Sequence, residues 1–388
     1  MIDLGDSALD EALIARTIRP LFSRSLAPER PVYLANHSLG RPPDRAATDV
    51  QRALDAWYRD MGEAWDEWLA ARERFRALTA ELVGAPGADS IVPKTSAGQG
   101  LRAVLNTFDS RIRVLTTDAE FDSIDFILRV YRDKGRIELA TVPARAEALI
   151  GALRQKPTAL VVVSAVLFRS GEIVPGVRDM IRAAHAAGAR VLLDVYHHAG
   201  VLPLDLAGLD ADFAVGGSYK YTRGGPGACW LYVSLRHHAE RTLDTGWFAK
   251  EDPFGYERPD PPRFAPGGDA WLESTPPVLA PVQALAGLEF TLAVGVARLR
   301  EYHLAQKKRF AAQLDAHGIG VDGAGAEFGA FLSFTHPQAT RLCGELRRRG
   351  VKTDARGDRL RLCADLLNSD AELAMASQAL AAAIQFKA

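Results

Sequence analysis

Between about residue 90 and residue 235, short apolar runs alternate with segments whose apolar side chains recur at helical spacing. The runs are RVLTT (113–117), IELATV (137–142), ALVVVSAV (159–166), RVLLDV (190–195), DFAVGG (212–217) and ACWLYV (228–233). They are the strand candidates. The segment PGVRDMIRAAHAAG carries proline early and glycine at its end, as a helix does. Such alternation predicts an α/β fold with a mostly parallel sheet covered by helices. In sheets of this kind, ligands bind outside the carboxyl ends of the strands.

The flanks read differently. Residues 1–30 suggest a short helical arm, and VYLANHSLGRPP an extended segment ending in a Gly/Pro turn. Residues 44–83 place Trp57, Trp65, Trp68, Phe75, Leu78 and Leu82 at helical spacing, which predicts one or two amphipathic helices with these rings as core. Residues 240–275 are rich in Gly, Pro and aromatics, a long loop of functional or interfacial use. A long helix over about 277–315 then leads to a small α/β domain, with GAFLSFTH and RLRLCA as strands and ATRLCGELRRRG as a helix.

The length of 388 residues suits two unequal domains of roughly 250 and 100 residues. The expected division is an arm at 1–43, a large domain at 44–285 and a small domain at 286–388. Net charge is −1 with both signs scattered, so nothing suggests a surface for nucleic acid. Cys229, Cys343 and Cys363 are far apart and form neither a zinc pattern nor a disulfide framework. No metal site is expected, and a reducing, cytoplasmic setting is. The N-terminal residues lack the basic and apolar regions of a signal peptide, and no run of about 18 apolar residues predicts a membrane span.

One stretch carries the chemistry: DVYHHAGVLPLDLAGLDADFAVGGSYKYTRGGPG, residues 194–227. Asp194 ends the apolar run VLLD, and Lys220 follows 26 residues later, just before a GGPG turn. A buried carboxylate and a lysine held this way suit pyridoxal phosphate (PLP). The lysine forms a Schiff base with the aldehyde. The carboxylate keeps the pyridine nitrogen protonated, so the ring can act as an electron sink. Thr95 and Ser96 sit between a strand and a helix beginning near Gly98. Hydroxyls and free N–H groups there make an anion cradle for the phosphate, though the same residue types also serve as ordinary helix caps.

This region resembles the lysine region of kynureninases, in the class V branch of fold-type I PLP enzymes. YLANHSLG, KTSAGQGL, EFDS, GWF, ESTPPVL and RLRLCADLLNS resemble further family segments in the same order, covering nearly the whole chain. The resemblance implies a large domain with a seven-stranded sheet and a small C-terminal α/β domain. It implies that Lys220 anchors PLP and that Asp194 pairs with the pyridinium. His197 lies near the ring and Asp194, with His198 the competing candidate. Tyr219 contacts the phosphate and delivers a proton. Phe121 stacks on the pyridine. Ser123 and Asp212 contact the phosphate or the pyridoxal oxygen. Trp247 and Thr275 reach the phosphate from the partner subunit of a homodimer. Arg361 holds the substrate carboxylate, with Arg356 and Arg359 as alternatives, and His37 and Ser38 line the substrate side. His37 stands where the family usually shows Asn, and Leu167 where it tends to be polar.

The implied activity is hydrolytic cleavage of the Cβ–Cγ bond of a kynurenine-like amino acid, giving alanine and an aryl acid. The alternatives are another class V activity, such as transamination or elimination, and a non-catalytic scaffold. A desulfurase would need a nucleophilic cysteine in a flexible loop before Arg361. Cys343 falls in a predicted helix and Cys363 follows Arg361 in a strand.

Overall fold

The computed structural model describes residues 8–385; the first seven residues of the expected arm and the last three of the expected small domain lie outside them. The described chain opens with α1 (Glu11–Leu13), which continues through irregular helical turns to Phe22. Next come β1 (Val32–Tyr33), α2 (Arg45–Asp60), α3 (Ala64–Val83), β2 (Ile91–Lys94), α4 (Ala97–Leu105), β3 (Ile112–Thr117) and α5 (Asp122–Asp133). The alternation continues through β4 (Ile137–Val142), α6 (Ala146–Gln155), β5 (Leu160–Ser164), α7 (Val177–Ala186), β6 (Arg190–Asp194), β7 (Phe213–Gly217) and β8 (Cys229–Val233). After the Gly/Pro-rich loop, α8 (Leu279–Val294) and α9 (Val296–Asp315) lead to β9 (Leu332–Thr335), α10 (Ala339–Arg348), β10 (Val351–Lys352), β11 (Asp354–Arg356), β12 (Arg359–Leu362) and α11 (Asp370–Gln385).

The central sheet has seven strands in the order β2-β8-β7-β6-β5-β3-β4. All neighbours are parallel except β8, which runs antiparallel to both β7 and β2. The expected mostly parallel α/β sheet is therefore what the chain forms. Its strands are apolar at nearly every position because both faces are covered. Val161, Val163, Val191 and Leu193 join the core on one face. Leu160, Val162, Leu192 and Val215 join the core on the other. β2 contains Pro93, which an edge strand tolerates because one side of it needs no ladder bonds.

Two features differ from the sequence reading. The predicted helix over 277–315 is two helices bent by 80° at Gly295, whose φ of +87° a side chain would resist. Helix α8 packs on α2 and α3 and lends Val282, Ala284 and Leu288 to large-domain cores. The end of α8 also packs the other way, Phe290 and Val294 joining Leu299, Tyr302, Leu366 and Leu367. The arm also does not stand apart. β1 pairs in parallel with β10, and Val32 and Leu34 enter the small-domain core. Among the described residues, no single helix is long and apolar enough to cross a membrane.

Candidate active site

The carboxyl ends of the parallel strands gather polar groups at one edge of the sheet. Asp194 ends β6, Ser164 ends β5, Thr117 ends β3, and Lys220 lies just beyond β7. Thr95 and Ser96 follow β2 at the same edge. Close backbone packing holds the lysine turn. A Cβ on Gly40 would sit 1.9 Å from the Lys220 carbonyl oxygen, and the Gly40 N–H donates to the Tyr219 carbonyl at 2.8 Å. The N-terminal SLG segment is thereby fastened onto the lysine turn.

Lys220 is 6% exposed and Asp194 5%. The Lys220 Nζ lies 2.7 Å from His197 Nε2, and His197 Nδ1 lies 2.9 Å from the Tyr221 hydroxyl. The rings of Tyr196, Phe121 and Tyr219 surround the amine at 5.4–5.7 Å. Burial lowers the Lys220 amine to about 8; Asp194 opposes the shift and Arg361 adds to it. A depressed amine of this kind is partly unprotonated near neutrality, as condensation with an aldehyde requires. Burial raises the Asp194 carboxyl, offset by the Tyr196 N–H bond at 2.9 Å and by Lys220. Its second oxygen makes no hydrogen bond among the described residues, so the carboxylate keeps an acceptor for a pyridinium N–H. His198 lies apart from this group, with Arg300 as its charged neighbour.

A cavity of about 630 Å³ opens beside Lys220. Ser38, Thr95, Ser96, Phe121, Ser123 and Tyr219 share its wall, so the structure brings these predicted residues together. Ser96 caps α4 by accepting from the Gln99 N–H at 3.1 Å. The capping role and an anion role coexist there, because a helix start leaves further N–H groups free. Phe121 meets Phe168 edge to face at 5.5 Å.

Asp212 does not join the site. It precedes β7 and so lies at the opposite end of the sheet from Asp194. There it accepts from the Val191 N–H at 2.8 Å and pairs with His185 and His237. These bonds hold it below the usual carboxylate range although burial pushes the other way. It staples strand starts at the end of the sheet away from Asp194 and is already engaged by His185, His237 and the Val191 N–H.

The substrate side is assembled from distant segments. Arg361, on β12 and 3% exposed, donates from Nε and Nη2 to both oxygens of Asp354, at 2.9 and 2.6 Å. Its Nη1 donates to the Phe168 carbonyl at 2.5 Å. Asp354 holds the guanidinium from one side, which leaves N–H groups on its outer fork for a carboxylate. Buried His37 lies 2.7 Å from Asp354 through Nε2, and burial lowers its imidazole to about 4. Burial alone would raise Asp354; His37 and Arg361 outweigh that and keep it ionised. Phe331 lies under this cluster, 5.5 Å from the Arg361 guanidinium and 5.0 Å from the His37 ring. Of the alternatives, Arg356 is exposed and Arg359 pairs with Asp322 at 2.7 Å.

Trp247 and Thr275 bond each other, Nε1 to Oγ1 at 3.0 Å. Thr275 shares a second cavity with Thr95, Gln99 and Glu273 of its own chain. Beside it runs an apolar groove lined by Leu54, Trp57, Met61, Trp65, Pro276 and Pro277.

Three groups escaped sequence reasoning. Tyr221 is the partner of His197, and SYKY itself was the available signal. Buried Glu120 accepts from Thr117 and Ser164 at 2.5 and 2.6 Å, and burial raises it to about 7. Asp365 is bound by Arg41 of the N-terminal segment and by Arg223 of the lysine loop, tying three parts of the chain together. Nothing local in sequence announces Ser164 as a partner of Glu120, or Arg41 and Arg223 as partners of Asp365.

The aminotransferase class-V family profile matches residues 46–326. A kynureninase of Deinococcus radiodurans is 30% identical over 348 residues, covering 84% of this chain and 82% of the relative. A kynureninase of Bacillus cereus is 29% identical over 354 residues, with the same two shares. Among solved structures, a variant of C-DES with glycine covalently linked to its PLP cofactor aligns with a TM-score of 0.84 at 19% identity. That alignment covers 94% of this chain and 98% of C-DES. The cysteine desulfurase CsdA of Escherichia coli aligns with a TM-score of 0.79 at 17% identity, covering 98% and 99%. At such identities the structures establish the fold, and the sequence relatives establish the family. The chain belongs to the class-V aminotransferase family, as a kynureninase-like enzyme that works with pyridoxal phosphate.

Proposed function

We propose that this enzyme hydrolyses the Cβ–Cγ bond of kynurenine or a kynurenine-like amino acid, releasing alanine and an aryl carboxylate. The observation that supports this reading is a chain of contacts linking two groups. Lys220 lies against His197, whose ring meets Phe331 at 5.9 Å; Arg361 lies 5.5 Å from the same Phe331 ring and bonds the carbonyl of Phe168, whose ring meets Phe121. An α-amino acid with an aromatic side chain matches that set: a carboxylate for Arg361 and a ring for the phenylalanines.

PLP, when bound, supplies an electron sink for charge that builds on substrate carbons. The chain's own residues do the rest. Asp194 would keep the pyridine nitrogen protonated. Thr95, Ser96 and Ser123 would hold the phosphate. Lys220, as a free amine, would take the substrate α-proton. Arg361 fixes the carboxylate, and His37 holds Asp354, which in turn aims Arg361. The Tyr219 phenol stays protonated because burial raises its pKa, so it has a proton to deliver to the alanine fragment.

A lyase or aminotransferase acting on another amino acid is the competing reading, and the fold's likeness to desulfurases favours testing it. A desulfurase needs a nucleophilic cysteine on a mobile loop. Here Cys229 and Cys363 are buried, and Cys343 lies within α10. These free cysteines also accord with a reducing cytoplasm. We further propose a homodimer in which Trp247 and Thr275 serve the partner's phosphate site. The apolar groove beside Thr275, with Trp57 52% exposed, supports an interface there.

The deciding experiment incubates the PLP-loaded enzyme with kynurenine, 3-hydroxykynurenine and a panel of other amino acids. Alanine and the aryl acid should form in equal amounts from the first two. Pyruvate, sulfide or a keto acid formed from another substrate, with no alanine from either kynurenine, would sink the hydrolase reading.

A further inference from the structure

Lys220, His197 and Tyr221 form a buried row of three, joined by contacts of 2.7 and 2.9 Å. Tyr221 contributes nothing to the cavity wall described above, and among the described residues its hydroxyl has no partner except His197. Burial holds the imidazole well below its usual pKa and the phenol well above its own. Across the neutral range, then, His197 is uncharged with a single N–H, and Tyr221 keeps its proton.

That single N–H can sit on either ring nitrogen. An ammonium at Lys220 only donates. It needs Nε2 as an acceptor, which puts the imidazole proton on Nδ1, donating to the Tyr221 oxygen. A free amine can accept from an Nε2–H, and the Tyr221 O–H then donates to Nδ1. A hydroxyl rotates to serve both arrangements, accepting in one and donating in the other. We propose that Tyr221 is a positioning residue that lets His197 exchange tautomers and so stabilises the Lys220 amine in both its protonation states. The inference rests on Lys220 being the lysine that condenses with PLP.

The other charged groups do not substitute for Tyr221. Asp194 favours the ammonium, while Arg361 and Arg356 disfavour it and Asp354 favours it; none bonds Nδ1. His37 and Arg361 also face His197, and Cys363 faces Tyr221. Removal of the hydroxyl has a definite sign. With phenylalanine at 221, the ammonium state points Nδ1–H at the electropositive edge of a ring, a buried donor without an acceptor. The amine state points a lone pair there, which that edge tolerates. Tyr221→Phe should therefore lower the Lys220 midpoint, by about one pH unit.

The test uses pulse acetylation of the PLP-free protein from pH 6 to 10, with Lys220 labelling read by peptide mass. The wild-type midpoint should lie near 8, and that of Tyr221→Phe about one unit lower. In a His197→Gln background the same substitution should add no shift. An unchanged midpoint, or an equal shift in the His197→Gln background, overturns the proposal. Should Tyr221→Phe not fold, ¹⁵N-histidine spectra of the wild type decide. The His197 proton should sit on Nδ1 below the Lys220 midpoint and move to Nε2 above it; a proton fixed on either nitrogen throughout overturns the idea. Borohydride trapping of PLP separates the two readings. A label on another lysine defeats the assignment of Lys220, whereas a label on Lys220 with no midpoint shift defeats only the role of Tyr221.

Discussion

The proposed cofactor cradle around Lys220 and the proposed carboxylate site around Arg361 are built in different ways. The cradle comes from one sheet: Asp194, Lys220, Thr95 and Ser96 follow strands whose hydrogen-bonded register fixes their spacing. The carboxylate pocket comes from three places. His37 belongs to the N-terminal segment, Phe168 to the loop after β5, and Asp354 and Arg361 to the small antiparallel sheet. Its geometry depends on how the small domain sits on the large one, and the buried Asp365 ties to Arg41 and Arg223 help set that. The division separates two tasks. A substitution at His37 would alter the substrate side without touching a strand of the central sheet.

Lesions in the cradle should be absolute. Lys220→Ala should lose turnover to background and lose the lysine-linked PLP absorbance, while circular dichroism shows the fold retained. Persistence of a borohydride-stable adduct at native stoichiometry would place the anchor elsewhere. The same variant tests whether the cradle is completed by a second subunit. Mixed with Trp247→Ala, once that variant is shown to be impaired, it should recover up to about a quarter of wild-type activity. Half the dimers would then carry one intact site each. Because Thr275 also shares a cavity with Thr95 of its own chain, the outcome is informative either way. Complete subunit exchange, verified by mass, with no recovery assigns Trp247 to its own subunit's site.

Lesions in the pocket should be graded. Arg361→Ala should weaken kcat/KM for any α-amino acid substrate by about 2–4 kcal/mol, through loss of a charged bidentate partner. Arg361→Lys should recover only part, because an ammonium lacks the planar fork. PLP affinity should change little in either variant. A comparable loss of PLP binding would dissolve the distinction between pocket and cradle, and an unchanged KM would shift the carboxylate role to Arg356.

How much of this was legible follows the same division. Asp194 and Lys220 lie in one continuous stretch, and the strand-end rule for parallel sheets places them without any long-range information. Arg361 was legible by resemblance, but its partner Asp354 was not: a charge seven residues away on a paired strand carries no local signature. Asp212 misled because its cofactor role came from the resemblance alone, although it opens the predicted strand DFAVGG and a parallel sheet puts strand starts at the end away from Asp194. The break at Gly295 was hidden by apolar periodicity on both sides of it. Glu120 was quoted within EFDS, yet its burial against Thr117 and Ser164 depends on two strands brought together by folding.

Glu120 gives the smallest and most selective prediction, because it belongs to the cradle and should titrate there. Burial raises its carboxyl to about 7, and the neighbouring Asp194 adds to the shift. In the unfolded chain a glutamate titrates near 4.3. Between those values the folded state binds more protons than the unfolded one, so stability falls as pH rises through this window. It is fully retained below about pH 4 and lost above 7, a difference of up to about 4 kcal/mol. Buried His37 and His303, lowered to about 4, act in the opposite direction on acidification, since they must then be charged or unfold. The wild type alone would therefore show a blurred optimum. Glu120→Gln resolves it: the amide mimics the protonated carboxyl toward both hydroxyls and has no charge to bury. Urea unfolding of both proteins at pH 5, 6, 7 and 8 isolates the contribution of Glu120, because the histidines cancel in the difference. The variant should gain on the wild type from pH 5 to 7 and level off toward pH 8. Parallel curves would mean that Glu120 keeps one charge state throughout, and that the cradle tolerates two ionised carboxylates side by side.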